Sequence, residues 1–584
     1  MSQSVIMLSS YFTLFGLALI TIFQDTCSAY KDAYSAVVVE YSPPQDPSID
    51  PGTNILNNVM NYVHITNIAN ENFLPNIIVF PEIGLKGYGN QEQYLFIPDP
   101  DDKVRPCAYN TTYEAPLVQL SCIARATETY LVVNLGEKYF NISQQKNVYF
   151  NTDVVFDSTG TIIVRYRKIH LYGETGKSPS PNKELAYFDT NFGVRFGIFT
   201  CFDIIFEDPG VILANEFNIT HFIFPTAWFS EMPFLTAIQE QFYWSYSQDV
   251  VLLASGYNDP SVGSSGTGIY LGRRGPVAYN MSEARQTFML QADVPKKLRS
   301  GLGTEEGKEL LSEILILDDE MEETKSTFQD TPENTNKIKL KLEKALKMYT
   351  NKSIIPPESP IHIIDGKSFY VDFTVNEYIC QNSLCCLFDL AIRAVFSKSH
   401  QETTRGDDYS QMFYRLAVFD GVRDYDRVDY GGVQVCAILP CANSDHSSCG
   451  LRSDDVSAKP NMLLGFYQTG LVFHSITIRG DFSTNHSFVG PNILLTGQGE
   501  NFGSLLPTES FKFYEAHPSR NGTQVRTLKT LEPISNLVTA SLYGRIFSRD
   551  GETDQTIQSR AFSSLICLTS SLIICFTSVV LVCN

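Results

Sequence analysis

The sequence predicts a layered α/β domain followed by a smaller, mostly β domain rich in disulfides, and three observations carry that expectation. From Tyr30 to about Gly301, short β-branched runs alternate with amphipathic stretches, the pattern of strands and helices taking turns in layers. Between Thr304 and Thr350, apolar continuity gives way to Glu, Asp, Lys and Asn, which marks a charged connector carrying two short helices. Beyond Lys352, alternating runs are separated by Gly, Asn and Asp turns, and six cysteines fall there as staples for the smaller core. A chain of 584 residues with 43% hydrophobic content is long enough for two or three domains with sizeable cores.

The candidate strands of the first domain are Ala36–Tyr41, Asn76–Phe80, Tyr130–Leu135, Val154–Phe156, Thr161–Arg165, Val194–Thr200, His221–Phe224 and Val250–Ala254. Those of the second are Phe369–Val375, Phe413–Phe419, Val433–Leu439, Leu471–Ile478 and Leu542–Phe547. The expected division is a leader over 1–29, an α/β domain over 30–303, the connector over 304–350, the β-rich domain over 351–548, and a spacer with a hydrophobic anchor signal over 549–584.

Both ends speak to the compartment. The apolar run Val5–Phe23 followed by Cys27-Ser28-Ala29 reads as a secretory leader with Tyr30 as the first mature residue; no Lys or Arg precedes the run, which leaves an uncleaved anchor as the alternative. Asn110, Asn141, Asn218, Asn280, Asn351, Asn485 and Asn521 each head an N-x-[ST] glycosylation signal, meaningful only in a secretory chain. The apolar tail from Ala561 to Val582 follows a polar stretch and carries no basic residue after it. That pattern predicts a glycolipid anchor at the cell surface, with Asp550 or Gly551 as the attachment residue, and a single-pass helix or a freely secreted form as alternatives.

Charge and cysteines narrow the chemistry. A net charge of −20 without a basic stripe argues against nucleic acid as a partner. No paired CxxC motif, histidine cluster, GxGxxG or Walker-type loop occurs, so neither metal nor nucleotide cofactor is expected. Of 13 cysteines, setting aside Cys27 and the three at 567, 575 and 583 leaves nine, an odd number in an oxidising compartment. If Cys201 is the free thiol, Cys107 and Cys122 remain in the first half, and Cys380, Cys385, Cys386, Cys436, Cys441 and Cys449 in the second. One bridge and three then suffice without crossing between halves.

Three strand ends carry reactive groups. The run Asn76-Ile-Ile-Val-Phe-Pro-Glu82 puts a carboxylate directly after a strand that Pro81 stops. The run Thr161-Ile-Ile-Val-Arg-Tyr-Arg-Lys168 ends in an ammonium, with Glu174 a few residues on. The run Phe196-Gly-Ile-Phe-Thr-Cys201 ends in a thiol that turns toward a helix expected near Asp203, whose N-terminus would favour thiolate. Alone, each has an ordinary reading as turn glutamate, surface lysine or buried cysteine. Together they form a carboxylate, an ammonium and a thiol at the C-terminal edges of strands, where α/β sheets bind ligands.

This order and setting resemble the nitrilase superfamily. The runs Phe80–Glu82, Tyr166–Glu174, Phe199–Asp203 with Glu207–Pro209, Phe224–Trp228 and Ser265–Tyr270 are most similar to its vanin and biotinidase branch. The resemblance implies an αββα sandwich for the first domain. It implies Glu82 as general base, Cys201 as nucleophile, and Lys168 with the backbone N–H near Phe202 as oxyanion donors. Glu174 would orient Lys168 or Glu82, and Trp228 and Thr226 would line the substrate pocket. The implied reaction is hydrolysis of a small linear amide, pantetheine to pantothenate and cysteamine, or else a biotinyl-lysine amide. An anchored binding ectodomain that has lost activity is the reading of another class. One departure is Asp259-Pro260-Ser261, where relatives of this branch carry a histidine, which bears on the acyl-group preference.

Overall fold

The computed structural model describes residues 32–44, 48–85, 91–109, 111–298, 312–317, 337–398, 409–452, 461–499 and 501–552. The expected leader, Tyr30, the sequon at Asn110, most of the connector and the hydrophobic tail lie outside those residues. The described residues form two compact units, one of those up to Glu231 with Leu235–Lys341 and Gly497–Ser504, the other of Met232–Phe234, Leu342–Thr496 and those from Leu505 on. Among the described residues no helix is long and apolar enough to cross a membrane.

The first unit is a sandwich of two sheets with helices outside, as the αββα expectation requires. One sheet runs Ser312–Ile316, Phe288–Pro295, Ala33–Glu40, Ile77–Val79, Tyr130–Asn141, Lys146–Phe156, Ile162–Arg167; the other runs Pro276–Asn280, Thr267–Leu271, Val251–Gly256, His221–Thr226, Arg195–Ile198, Tyr187–Asp189. Strand Ala33–Glu40 is buried along nearly its whole length, so its Val37-Val38-Val39 run is apolar on both faces, the pattern of a central strand. It pairs parallel with Ile77–Val79, which pairs parallel with Tyr130–Asn141. Arg195–Ile198, His221–Thr226 and Val251–Gly256 are likewise parallel.

Helix Pro51–Phe73 starts where the Asp50 carboxylate accepts from the N–H groups of Gly52 and Thr53, and Pro51 fills a first-turn position that needs no donor. It packs beside helix Ala115–Thr127, and Val59, Tyr62, Ile65, Leu117 and Leu120 join the core beneath. Burying one such side chain contributes roughly 1.5–3 kcal/mol.

All eight candidate strands of this unit form. The strands Tyr187–Asp189, Thr267–Leu271, Pro276–Asn280 and Phe288–Pro295 were not anticipated. Neither was the origin of the Ser265–Tyr270 motif. Glu40, fully buried, accepts hydrogen bonds from Asn258 Nδ2, Ser265 Oγ, Gly266 N and Thr267 Oγ1, so that motif clamps a buried carboxylate. Of the connector, only 312–317 and 337–350 are described. Its described residues hold no α-helix; Ser312–Ile316 extends the sheet edge against Phe288–Pro295, and Lys344–Met348 makes a 3-10 turn. Main-chain pairing outweighs side-chain polarity there.

The second unit is antiparallel β. One sheet includes Thr350–Ile354, Phe413–Tyr425, Asp429–Cys441, Leu537–Ile546 and Ser487–Thr496 in that order; the other runs His362–Asp365, Ser368–Gln381, Leu384–Ser397, Phe466–Ser483, Thr523–Thr530, Phe511–Glu515. Cys386–Cys436 ties one sheet to the other, while Cys380–Cys385 and Cys441–Cys449 are local. Asp550, the candidate attachment residue, has another role here: its carboxylate accepts from the buried guanidinium of Arg545 at 2.9 and 3.0 Å and from Gly432 N at 3.1 Å. Gly551 N continues the pattern by donating to Tyr430 O. Both attachment candidates thus make contacts within this unit.

The sequons divide by environment. Asn218, Asn485 and Asn521 are exposed and Asn141 is half-buried. Asn351 Nδ2 donates to Tyr349 O, and its Oδ1 accepts from Arg415. Asn280 is only 7% exposed.

Candidate active site

Each reactive side chain is aimed by the end of a strand. Phe80 N donates to Val132 O as the last rung of its ladder, Pro81 has no N–H to continue it, and Glu82 turns inward to 3% exposure. Lys168 follows Ile162–Arg167 directly; its N–H donates to Asn151 O, its carbonyl accepts from Ser180 N, and the residue is 2% exposed. Cys201 follows Arg195–Ile198 after two residues, with φ at +48°, a left-handed conformation that a non-glycine residue adopts only where its surroundings hold it. Asp203 supplies that hold, accepting from Thr200 N at 3.0 Å, His170 N at 2.8 Å and Tyr166 Oη at 2.7 Å.

The three groups meet. Lys168 Nζ lies 2.7 Å from Glu82 Oε1 and 2.7 Å from Glu174 Oε1, while Ala227 N donates to Glu82 Oε2 at 2.9 Å. Cys201 is 5% exposed, and its sulfur lies where the charges of both Glu82 and Lys168 act on it. The other eight cysteines of the described residues pair as Cys107–Cys122, Cys380–Cys385, Cys386–Cys436 and Cys441–Cys449, one bridge in the first half and three in the second, and Cys201 is left free.

Burial would depress the Lys168 ammonium, but the carboxylates of Glu82 and Glu174 overcome it and hold the charge firmly. Burial likewise works to raise Glu174, and Lys168 with Lys177 outweighs it, keeping this carboxyl below the usual carboxylate range. Cys201 goes the other way. Burial first, then the Glu82 carboxylate, push the thiol well above its ordinary range, and Lys168 and Thr226 do not compensate. The expected helix near Asp203 is only a 3-10 turn, Cys201–Ile205, too short for a sizeable dipole. The helix contribution that the sequence argument invoked in favour of thiolate is therefore small, and burial with the Glu82 carboxylate works against ionisation of the sulfur. A thiol, a carboxylate to take its proton and an ammonium with one N–H beyond its two ion pairs can together perform acyl transfer.

Residues 53–232 match the carbon-nitrogen hydrolase family, and residues 368–550 match the vanin C-terminal domain. Vanin-like protein 1 of Drosophila melanogaster is 34% identical over 547 residues, covering 90% of this chain and 88% of its own length. The chain belongs to the vanin family. Other relatives are the pantetheinase of Canis lupus familiaris, 29% identical over 518 residues (85% of this chain, 83% of the relative), and the biotinidase of Bos taurus, 30% identical over 499 residues (81% and 83%). This vanin-family chain is thus an amidohydrolase of the nitrilase superfamily, acting on carbon–nitrogen bonds other than peptide bonds.

Within the vanin-family site, Glu174 lies beside Lys168 as the sequence suggested. Trp228 is buried and spends its indole N–H on Leu235 O at 2.9 Å. A small crevice lined by Ile55, Ile83, Leu85, Tyr94, Leu135 and Lys177 lies nearby, and Glu82, Lys168 and Cys201 are not among its walls. The sequence reading missed Asn134, Asn151 and Asp153. Asn151-Thr152-Asp153 is a polar triplet between Phe150 and Val154 in the strand Lys146–Phe156, all of it buried, and a polar interruption in an apolar strand was the signal available.

Proposed function

We propose that the chain cleaves a small linear amide through a thioester on Cys201. The observation that carries this reading is the buried contact set of Glu82, Lys168 and the unpaired Cys201. Glu82 takes the thiol proton as sulfur attacks the amide carbonyl. The tetrahedral oxyanion is met by Lys168 Nζ and by the Phe202 main-chain N–H. Collapse expels the amine, which Glu82 protonates, leaving the acyl group on sulfur. Glu82 then removes a proton from water, the hydroxide displaces sulfur, and the acid departs as the thiol is restored. Glu174 steadies Lys168 throughout.

The substrate of this reading is pantetheine, giving pantothenate and cysteamine, with Thr226 and Trp228 lining the pocket as the resemblance to the vanin and biotinidase branch implies. Biotinyl-lysine is the second reading, because the bovine biotinidase is as similar as the canine pantetheinase. We place the enzyme outside the cell on a lipid anchor, a setting that suits its four disulfides. The test is incubation of the purified protein with each amide and assay of the released amine. Cysteamine release by wild type and not by Cys201→Ala supports the first reading; lysine release alone supports the second. Inertness toward both and toward other small amides would leave an anchored binding ectodomain.

A further inference from the structure

Four side chains close a ring of hydrogen bonds in this site. Lys168 Nζ donates to Glu82 Oε1 and Glu174 Oε1, each at 2.7 Å; Asn151 Nδ2 donates to the same Glu82 oxygen at 2.7 Å and to Glu174 Oε2 at 2.9 Å. The direction of the Asn151 amide follows from its neighbours. Ile83 N, an unambiguous donor, points at Asn134 Oδ1 at 2.8 Å, which turns Asn134 Nδ2 toward Asn151 Oδ1 and Asp153 Oδ1, both at 2.7 Å. Asn151 must therefore present oxygen to Asn134 and nitrogen to the two carboxylates.

Counting protons separates the roles. Asn151 has two N–H groups on its amide and both are used, so none is left for a substrate; Lys168 has three and gives two to carboxylates. The Asp153 oxygen not facing Asn134 accepts from Thr200 Oγ at 2.5 Å, and Thr200 immediately precedes Cys201. Asn151 also reaches Lys168 through its main chain, its carbonyl accepting Lys168 N at 2.9 Å. Asn134, Asn151, Asp153 and Thr200 are all buried, so no water competes for these bonds.

We propose that Asn151 is a positioning residue that holds Glu82 as a correctly aimed acceptor for the Cys201 proton, with Asn134, Asp153 and Thr200 tying that carboxylate to the backbone that carries the sulfur. A neutral amide suits the task. It favours the carboxylate form without adding charge, whereas a second ammonium would bind the proton acceptor too strongly for it to act as a base. The charged and titratable groups around Glu82 are Lys168, Glu174, Cys201 and Asp153, with Lys177 behind Glu174 at 2.9 Å.

This inference rests on the proposed thiol chemistry, so its test avoids the substrate. The rate of Cys201 alkylation by iodoacetamide is measured against pH in the full-length protein, for wild type, Asn151→Leu and Asn151→Asp. Leucine removes both donors at similar volume, and the acid limb of the profile is expected to move up by about one pH unit, with roughly tenfold slower alkylation at the foot of the limb. Aspartate keeps the shape and replaces the donor with an acceptor, so its shift is expected to be larger; it also serves if the leucine variant fails to fold. Profiles that superimpose on wild type, with only thermal stability altered, would overturn the proposal and leave Asn151 a structural residue. A shifted profile in a protein that cleaves neither candidate amide would sustain the Asn151 role and discard the substrate reading. No alkylation of wild-type Cys201 at any pH would remove both.

Discussion

Lys168 Nζ and Glu82 Oε1 meet at 2.7 Å although 86 residues separate them along the chain, and both side chains are almost wholly withdrawn from water. Neither charge is affordable there alone. With Glu174 at the same distance on the ammonium's other side, Lys168 is the cation that allows two buried carboxylates to coexist.

Replacing Lys168 with Met should therefore leave Glu82 and Glu174 facing each other unpaired. Loss of stability of about 3–5 kcal/mol is expected, read by urea denaturation, together with loss of amide hydrolysis. Retention of wild-type stability would mean that the carboxylates are hydrated in solution.

The Glu82→Gln variant keeps the shape and removes the proton acceptor. Glu82 is the proposed acceptor of the Cys201 proton, so the reacting sulfur then has no base. Amide turnover should fall by roughly 10²–10⁴-fold, with circular dichroism unchanged. Turnover at the wild-type rate would show that the sulfur reacts without Glu82.

His221 supplies a pH dependence with a definite sign. Burial disfavours its imidazolium and, against a hydrogen bond to Pro295 O, pulls the group down to about 4. The unfolded chain takes up this proton near pH 6.5 while the native state resists it, so stability from the neutral ring is present above that pH and lost as pH falls toward 4. His221→Gln lacks the effect. The stability difference between wild type and this variant should shift by about 3 kcal/mol against wild type between pH 7 and pH 4. Parallel curves would show the imidazole to be solvated.

The Cys386–Cys436 bridge closes a separation of 50 residues between two strands of different sheets. Its paired replacement by Ala should lower the stability of the second unit by about 2–4 kcal/mol, seen as a lower midpoint in thermal unfolding. Amide hydrolysis at 25 °C should survive, since every side chain placed in the site lies in the first unit.

Much of this was legible before any coordinates. All eight candidate strands of the first unit form, because β-branched runs bounded by turn residues report local structure directly. The free thiol could be read from parity, since bridges consume cysteines in pairs. Connector residues Ser312–Ile316 were not legible as a strand, because their pairing comes from a sheet edge assembled elsewhere in the chain. Asp550 stood in the sequence as a candidate attachment residue, and only the position of buried Arg545 made it an ion-pair partner.

The amino-acid order by itself determined which reactive groups end which strands, since each is written within a few residues of a recognisable run. Tertiary structure alone decided that Glu82, Lys168 and Cys201 share one water-poor space, that burial works against ionisation of the sulfur, and that the polar triplet beginning at Asn151 contacts the site. Protonation and hydrogen-bond direction depend on burial and on neighbours distant in sequence, and these exist only once the sheets have closed over them.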